Sequence, residues 1–342
     1  MEVNIATGFD RTYCGVACVM IKSLIEHASI ENRYNIYILH NDIGIEDQYY
    51  FLSLSKSKKN VNISFINIEE YDFFAKISLY ASRHITKAAY YRLFLPYFFE
   101  DIDKILYLDG DCILLNDISS LYAFDLENNY IAGSRDINLS SIDFLKKHSP
   151  LDLYFSDYSS FYDYFKFYLG FNEYKMQNYI NDGVMLMNLD KMRKENWHDK
   201  MQEALSRIFL YHDQDIINYY CQDSICYIEN IWNMPNILLK ESWEGNIQIK
   251  NIHSYSTGLG KPWLNINTIG AKLYWQILRD TPYYEDMFLK FLDKNITQIK
   301  NKEAVEIVYK KSSFERKLNK LKTKPLLFFI DMFSKRIKNV KG

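Results

Sequence analysis

Cysteine, proline and glycine are scarce in this chain: five, six and 12 among 342 residues. The cysteines (Cys14, Cys18, Cys112, Cys221, Cys226) are odd in number and lack the spacings of a zinc ribbon or a disulfide framework. A reducing cytoplasm is therefore the simplest setting. With 48% hydrophobic and 25% charged residues, the composition excludes disorder, collagen and a repeat stalk. No apolar run approaches the ~20 residues that span a bilayer. The opening Met-Glu-Val-Asn-Ile has no basic flank followed by an apolar core, so no signal peptide is expected. Neither sign of charge dominates; a net charge of −2 makes no whole-protein case for nucleic acid.

What is present suits one large or two ordinary domains. A chain near ~300 residues buries about three quarters of its unfolded surface, enough to fold without metal or disulfide staples. Residues 2–8 read as a strand ending in small residues. Residues 15–28 carry Val16, Val19, Met20, Leu24 and Ile25 at helical spacing. A strand at 35–40, a polar helix around 46–59 and a strand at 62–68 follow. This alternation predicts an α/β fold with a mostly parallel, Rossmann-like sheet flanked by helices. Ligands then collect outside the carboxyl ends of the strands. Farther on, 86–95 reads as a helix with Thr86 as N-cap and Pro96 as its limit, placing Ala88 and Arg92 on one face. Residues 104–108 form an apolar strand that 112–115 resumes, 183–189 is another, and Gln214 opens a helix. The Tyr/Phe-rich segment 140–177 has no clear periodicity and reads as an insertion.

The sharpest local feature is Ile105-Leu-Tyr-Leu-Asp-Gly-Asp111. Carboxylates two apart on an extended chain project to one side, roughly 7 Å apart. Burying them at a strand end requires a counter-charge, and Mg²⁺ or Mn²⁺ favours such oxygens. Gly110 between them permits close approach to the backbone. Asp-x-Asp alone also occurs in turns and calcium loops. Three further clusters stand out: Tyr211-His-Asp-Gln-Asp215, where Asp213 is either an N-cap or something more; Asn181-Asp-Gly183, which by itself reads as a turn; and His253-Ser-Tyr-Ser-Thr-Gly-Leu-Gly-Lys-Pro-Trp263. The last is not a Walker loop, since Pro262 stands where Ser or Thr is needed. Its imidazole, glycine N–H groups and Lys261 suit a metal and a diphosphate.

In this order, the segments resemble family 8 glycosyltransferases, retaining GT-A enzymes. The resemblance runs from about Val3 to Trp263. It rests on Ile5-Ala-Thr, Ile85-Thr, Tyr91-Arg-Leu, Lys104-Ile-Leu-Tyr-Leu-Asp-Gly-Asp, Asn181-Asp-Gly-Val-Met-Leu-Met-Asn-Leu, Asp213-Gln-Asp, His253 and Gly258-Leu-Gly-Lys-Pro-Trp. It implies a GT-A fold and a UDP-sugar donor, galactose or glucose, transferred to a saccharide of a cell-surface glycan such as lipopolysaccharide. Asp109, Asp111 and His253 would bind Mn²⁺, with Mg²⁺ as a substitute. Ala6, Thr7, Asp10 and Tyr13 would surround uracil and ribose. Lys261 and the Gly258 backbone would hold phosphate, with Gly110 close to the donor. Arg92, Asn181, Asp182, Asp213 and Gln214 would line the donor sugar, and Asp136 the acceptor side. Asp213, Gln214 and Asp136 are thus the expected catalytic groups. Gln214, a neutral amide, is a poor nucleophile, which favours same-face attack by the acceptor hydroxyl. The family usually has glycine three residues after the histidine; here Gly258 follows by five, a two-residue insertion.

The expected organisation is a GT-A domain at 1–295, with an acceptor-side insertion at 138–178, and a basic, partly apolar helical tail at 296–342. From residue 310 onward there are eleven Lys/Arg against two acids, +9, leaving −11 on residues 1–309. Basic residues around the apolar 326–333 suit an interfacial helix on anionic lipid, so peripheral attachment to the inner face of the cell membrane is expected; the alternative is packing on the core. Rival readings are a HAD-like phosphohydrolase, whose Asp-x-Asp also follows a strand, and an inactive sugar-binding scaffold.

Overall fold

Apolar residues at nearly every position of a strand demand cover on both faces of its sheet, and the arrangement meets that demand. In a computed structural model, described for residues 1–71, 87–236, 247–255, 261–268 and 270–295, the chain opens with β1 (Glu2–Gly8), α1 (Cys14–His27), β2 (Arg33–His40), α2 (Ile45–Ser55) and β3 (Val61–Asn67). Then come β4 (Lys104–Leu108), β5 (Cys112–Leu114), β6 (Ile131–Arg135), β7 (Ile180–Asn188), α3 (His212–Cys221), β8 (Ile225–Tyr227), β9 (Met234–Pro235), β10 (Asn251–His253) and α4 (Ala271–Leu278), with shorter helices between. Seven strands form the main sheet in the order β3-β2-β1-β4-β7-β6-β8. β1 pairs in parallel with β2 and β4, β2 with β3, and β6 with β8, whereas β7 runs antiparallel to both β4 and β6. The expected parallel-dominated α/β sheet is therefore present.

Side chains alternate between two cores. Ile105, Tyr107, Met185 and Met187 enter one; Leu106, Leu108, Val184 and Leu186 enter the other, together with α1. The chain divides into two compact units, Met1–Tyr284 and Glu285–Gly342. In the second, residues 285–295 are helical; the tail at 296–342 lies outside the described residues. The five cysteines are free thiols.

Three local expectations are corrected. Residues 87–94 form a 3₁₀ segment, and Pro96 lies in the first turn of the next helix, Leu95–Phe98. First-turn N–H groups have no intrahelical acceptor, so proline costs nothing there. Ala88 and Arg92 therefore do not share an α-helical face; the Arg92 Nε donates back to the Ala89 carbonyl at 3.1 Å. Second, residues 112–114 do not resume β4. The chain turns at Asp109-Gly110-Asp111 into a separate three-stranded sheet, β5-β10-β9. Third, Asn181-Asp182-Gly183 is not a turn before a strand but part of β7. Because β7 is reversed, its first residues stand beside the carboxyl ends of β4 and β6: Val184 pairs with Leu108, and Ile180 with Arg135. One edge of the sheet thus gathers residues from both ends of strands.

Candidate active site

Strand geometry brings the three predicted metal ligands together. Asp109 and Asp111 flank the turn after β4. The Asp109 N–H donates to the Gly183 carbonyl at 2.8 Å, and the Ser254 N–H to the Asp111 carbonyl at 3.1 Å. In the small sheet His253 pairs with Cys112, the residue after Asp111. As a result His253 Nε2 lies 3.1 Å from Asp111 Oδ1 and 3.4 Å from Asp109 Oδ2, and one ligand atom from each residue falls within 4.8 Å of the others. The histidine is in place despite the extra residues before the glycine; the loop holding Gly258, residues 256–260, lies outside the described residues.

The imidazole is 1% exposed, and its Nδ1 is 2.8 Å from Asn233 Oδ1. An amide oxygen only accepts, so Nδ1 carries the proton. Nε2 is buried without a hydrogen-bond partner, aimed at two carboxylates. A lone pair facing two carboxylates is repulsive unless a cation or a proton stands between them. The donor set, two carboxylates and one imidazole, is that of a divalent ion, so these residues could hold one. With none bound, burial works to lower the His253 pKa, but Asp111 and Asp109 outweigh it and hold it up at about 9.

Behind these acids sits Arg92, 4% exposed. It forms ion pairs with Asp109 (2.6 Å), Asp182 (3.1 Å) and Asp213 (2.9 Å), donates to the Asp182 carbonyl at 2.8 Å, and rests on the Tyr107 ring at 4.4 Å. Lys261 pairs with Asp111 at 2.7 Å. Burial acts to raise Asp109, yet Arg92 and His253 hold it below the usual carboxylate range. Burial likewise opposes ionisation of Asp111, while Lys261 and His253 hold it far down. For Asp182 burial wins over Arg92 and lifts it well above its ordinary value; Asp213 is lifted too, again by burial. Arg92 and Lys261 thus divide the acids between them, Arg92 at Asp109, Asp182 and Asp213 and Lys261 at Asp111.

Asp213 and Gln214 reach this edge from the first turn of α3. That helix begins at His212, so Asp213 is inside it rather than its N-cap. His212 takes φ = 49°, a left-handed conformation unusual for a side-chain-bearing residue, and its ring meets the Tyr90 hydroxyl at 3.1 Å. This bend turns Asp213 toward Arg92. The Gln214 Oε1 accepts from Asn181 Nδ2 at 3.0 Å, and its Nε2 points to Asp136 Oδ2 at 3.5 Å. Asp136 in turn accepts the Asn138 and Leu139 N–H groups, each at 2.9 Å, which fixes it at the end of β6. Asp215, two residues farther on, faces away. It accepts from the Tyr164 and Tyr179 hydroxyls and the Tyr211 N–H at 2.7, 2.6 and 2.8 Å, tying the segment around Tyr164 and the residue before β7 to α3.

The other expected residues described lie at the end of β1, in the turn after it and beside Gly110. Ala6 and Thr7 are wholly buried at the end of β1, with the Thr7 hydroxyl unpartnered. Asp10 accepts from the Thr12 N–H and hydroxyl at 2.9 and 2.6 Å, capping a short 3₁₀ turn. Tyr13 and Ala17 fill the space a Gly110 Cβ would need, at 3.2–3.3 Å. The Tyr13 ring also meets Trp263 edge-on, with centroids 5.9 Å apart. Two roles escaped the sequence reading. Gly183 lacks a Cβ that would overlap His253 Cε1 and stand 2.7 Å from Asp109 Oδ2. Asn233, just before β9, has no local pattern to mark it.

The model of the glycosyl transferase family 8 matches residues 4–267, most of the chain. The chain belongs to glycosyl transferase family 8. The chain is 28% identical over 236 residues to a putative glycosyltransferase of Haemophilus influenzae, covering 68% of this chain and 63% of that relative. The chain thus spans less than two thirds of that relative's length. It is 23% identical over 310 residues to a lipopolysaccharide 1,2-glucosyltransferase of Escherichia coli, covering 85% and 82%. Among solved structures, the galactosyltransferase LgtC in complex with donor and acceptor sugar analogues superimposes with a TM-score of 0.63 at 22% identity, covering 82% of this family 8 chain and 96% of LgtC. At that identity the likeness is one of fold, and it supports the GT-A architecture.

Proposed function

We propose that the protein transfers a hexose, galactose or glucose, from a UDP-sugar to a saccharide acceptor of a cell-surface glycan such as lipopolysaccharide, with retention of the anomeric configuration. The observation that carries this reading is the convergence of Asp109, Asp111 and His253 at the same sheet edge as Arg92, Asp182, Asp213, Asn181, Gln214 and Asp136. Family membership supplies the reaction class. The Escherichia coli relative, named a lipopolysaccharide glucosyltransferase, supports the acceptor class.

Asp109, Asp111 and His253 would hold Mn²⁺, or Mg²⁺, which when bound would supply Lewis-acid neutralisation of the charge on a departing diphosphate. Lys261, beside Asp111, adds a second cation for phosphate oxygens. Asp213 opposes the positive charge that develops on the sugar, as carboxylates do in glycoside hydrolysis, and Arg92 keeps it in place. Gln214 offers its amide to sugar hydroxyls, held by Asn181 at the same wall of the donor-sugar site, and Asp136 stands toward the acceptor. The bond from the anomeric carbon to the phosphate oxygen breaks while the acceptor oxygen bonds on the same face, and the departing phosphate oxygen takes the acceptor proton. Uracil and ribose are assigned to the end of β1, near Ala6, Thr7, Asp10 and Tyr13, and phosphate to the Gly110 backbone; Gly258, the other expected phosphate contact, lies outside the described residues.

A HAD-like phosphohydrolase needs its first aspartate free to attack phosphorus. Asp109 is instead engaged by Arg92 at 2.6 Å and faces His253, so that alternative loses ground. Residues 310–342 are proposed to rest on an anionic membrane surface at the cytoplasmic face; they lie outside the described residues. No helix among the described residues is long and apolar enough to cross a membrane. The deciding experiment is a UDP-sugar screen with Mn²⁺, following UDP release with and without saccharide acceptors and determining the product's anomeric configuration by NMR. Release of UDP from a hexose donor with a retained linkage is expected. An inverted product, a stable glycosyl adduct on a side chain, or no UDP release from any donor overturns the reading.

A further inference from the structure

A directional chain of buried amides joins the metal-facing histidine to the groups around the donor sugar. Its reference point is a backbone donor whose role is unambiguous: the Gly183 N–H donates to Asn181 Oδ1 at 3.1 Å. With that oxygen identified, the rest follows from donor and acceptor chemistry. The second group donating to Asn181 Oδ1, at 2.9 Å, must be Asn233 Nδ2. Asn233 therefore turns its oxygen to His253, and that contact at 2.8 Å requires a proton on Nδ1. In the other direction Asn181 Nδ2 donates to Gln214 Oε1 at 3.0 Å, leaving Gln214 Nε2 to face Asp136 Oδ2. Asn233 and Asn181 are 1% and 5% exposed, so no water competes for these groups.

We infer that Asn233 is a positioning residue, one whose side chain sets the His253 tautomer that presents Nε2 to a divalent ion and, through Asn181, the orientation of the Gln214 amide. This inference rests on the proposed function for the meaning of the two ends it joins. The physical case is that a metal-binding imidazole needs a fixed partner on its other nitrogen, and losing such a partner typically costs 10- to 100-fold in metal affinity. Asn233 is the partner here. An aspartate at this position could still accept from Nδ1–H but could not donate to Asn181, so one substitution separates the two functions.

The test compares full-length wild type, Asn233→Ala and Asn233→Asp. Mn²⁺ affinity is measured by electron paramagnetic resonance without nucleotide, kcat and donor KM by UDP release, and folding by thermal melting. Asn233→Ala is expected to weaken Mn²⁺ at least tenfold. Asn233→Asp is expected to lose less than about tenfold in Mn²⁺ affinity while kcat falls more than donor KM rises. A long-range ¹H–¹⁵N spectrum of Mg²⁺-saturated wild type, which needs no variant to fold, is expected to show His253 protonated at Nδ1 alone. Wild-type Mn²⁺ affinity in Asn233→Ala, equal loss of Mn²⁺ in both variants, or a proton on Nε2 overturns the inference. Metal binding that follows the expected pattern without any sugar transfer would sink the proposed function and leave this inference standing. Transfer by wild type with no change of metal affinity in Asn233→Ala would do the reverse.

Discussion

Gly183→Ala is the smallest perturbation that reaches the centre of the site. The added methyl would overlap His253 Cε1 and stand 2.8 Å from Nδ1 and 2.7 Å from Asp109 Oδ2. Ordinary contact begins at 3.4 Å, so the carboxylate and the imidazole must each retreat by about 0.6–0.7 Å, and the ring carbon by more. Neither has slack. Asp109 is pinned by Arg92 at 2.6 Å, and His253 by Asn233 at 2.8 Å and by its pairing with Cys112. Overpacking of this kind costs about 1–3 kcal/mol, which a protein of this size survives. Metal ligation does not survive it, because ligand distances are met only within about 0.2 Å. The expected result is a variant that melts cooperatively, somewhat below wild type, and binds Mn²⁺ at least tenfold more weakly in a paramagnetic resonance titration. Turnover should fall with it. A Gly183→Ala protein with wild-type Mn²⁺ affinity would show that His253 and Asp109 are not joint ligands.

Other substitutions test neighbouring parts of the argument. Asp111→Asn removes the carboxylate that both His253 and Lys261 face and should abolish metal-dependent transfer while circular dichroism stays that of wild type. For Asp215, burial lifts the carboxyl from 3.8 to about 6 despite its three hydrogen bonds. Folding therefore favours the proton: the contribution is full below 3.8, is lost as pH rises through 6, and is worth about 3 kcal/mol. Asp215→Asn should flatten the fall in urea-measured stability between pH 4 and 7; an unchanged slope would mean the carboxyl titrates normally. Removal of residues 310–342 should release the protein from anionic liposomes without abolishing UDP binding, and lipid binding by the truncated chain would end the anchor proposal.

The layers of the fold were legible because burial writes itself into local periodicity. Ile105–Leu108 is apolar throughout since both its faces are covered, and Val16, Val19, Met20, Leu24 and Ile25 are all buried in α1. What periodicity cannot convey is strand direction and partner. The polar start of β7 reads as a turn when taken alone; only its reversal between β4 and β6 makes Asn181 and Asp182 strand residues at the ligand-bearing edge. The same holds for residues 112–114, whose apolar character is equally suited to either sheet. Pro96 misled because proline is tolerated at the start of a helix as readily as it ends one.

The acids of the site were legible for the opposite reason: carboxylates at the end of an apolar strand are conspicuous where burial is costly. Their counter-charges were not, since Arg92 answers Asp109, Asp182 and Asp213 from 17, 90 and 121 positions away and Lys261 answers Asp111 across 150. Gly183 and Asn233 carry no signal of their own. One matters for an atom it lacks, the other for two hydrogen bonds that exist only when β7, β9 and β10 have been brought together. A short sequence pattern can therefore nominate the groups that bear charge, while the neutral groups that aim them emerge only from the packing. That is why substitution of Asn233 and Gly183, rather than of another aspartate, bears most directly on how the site is held.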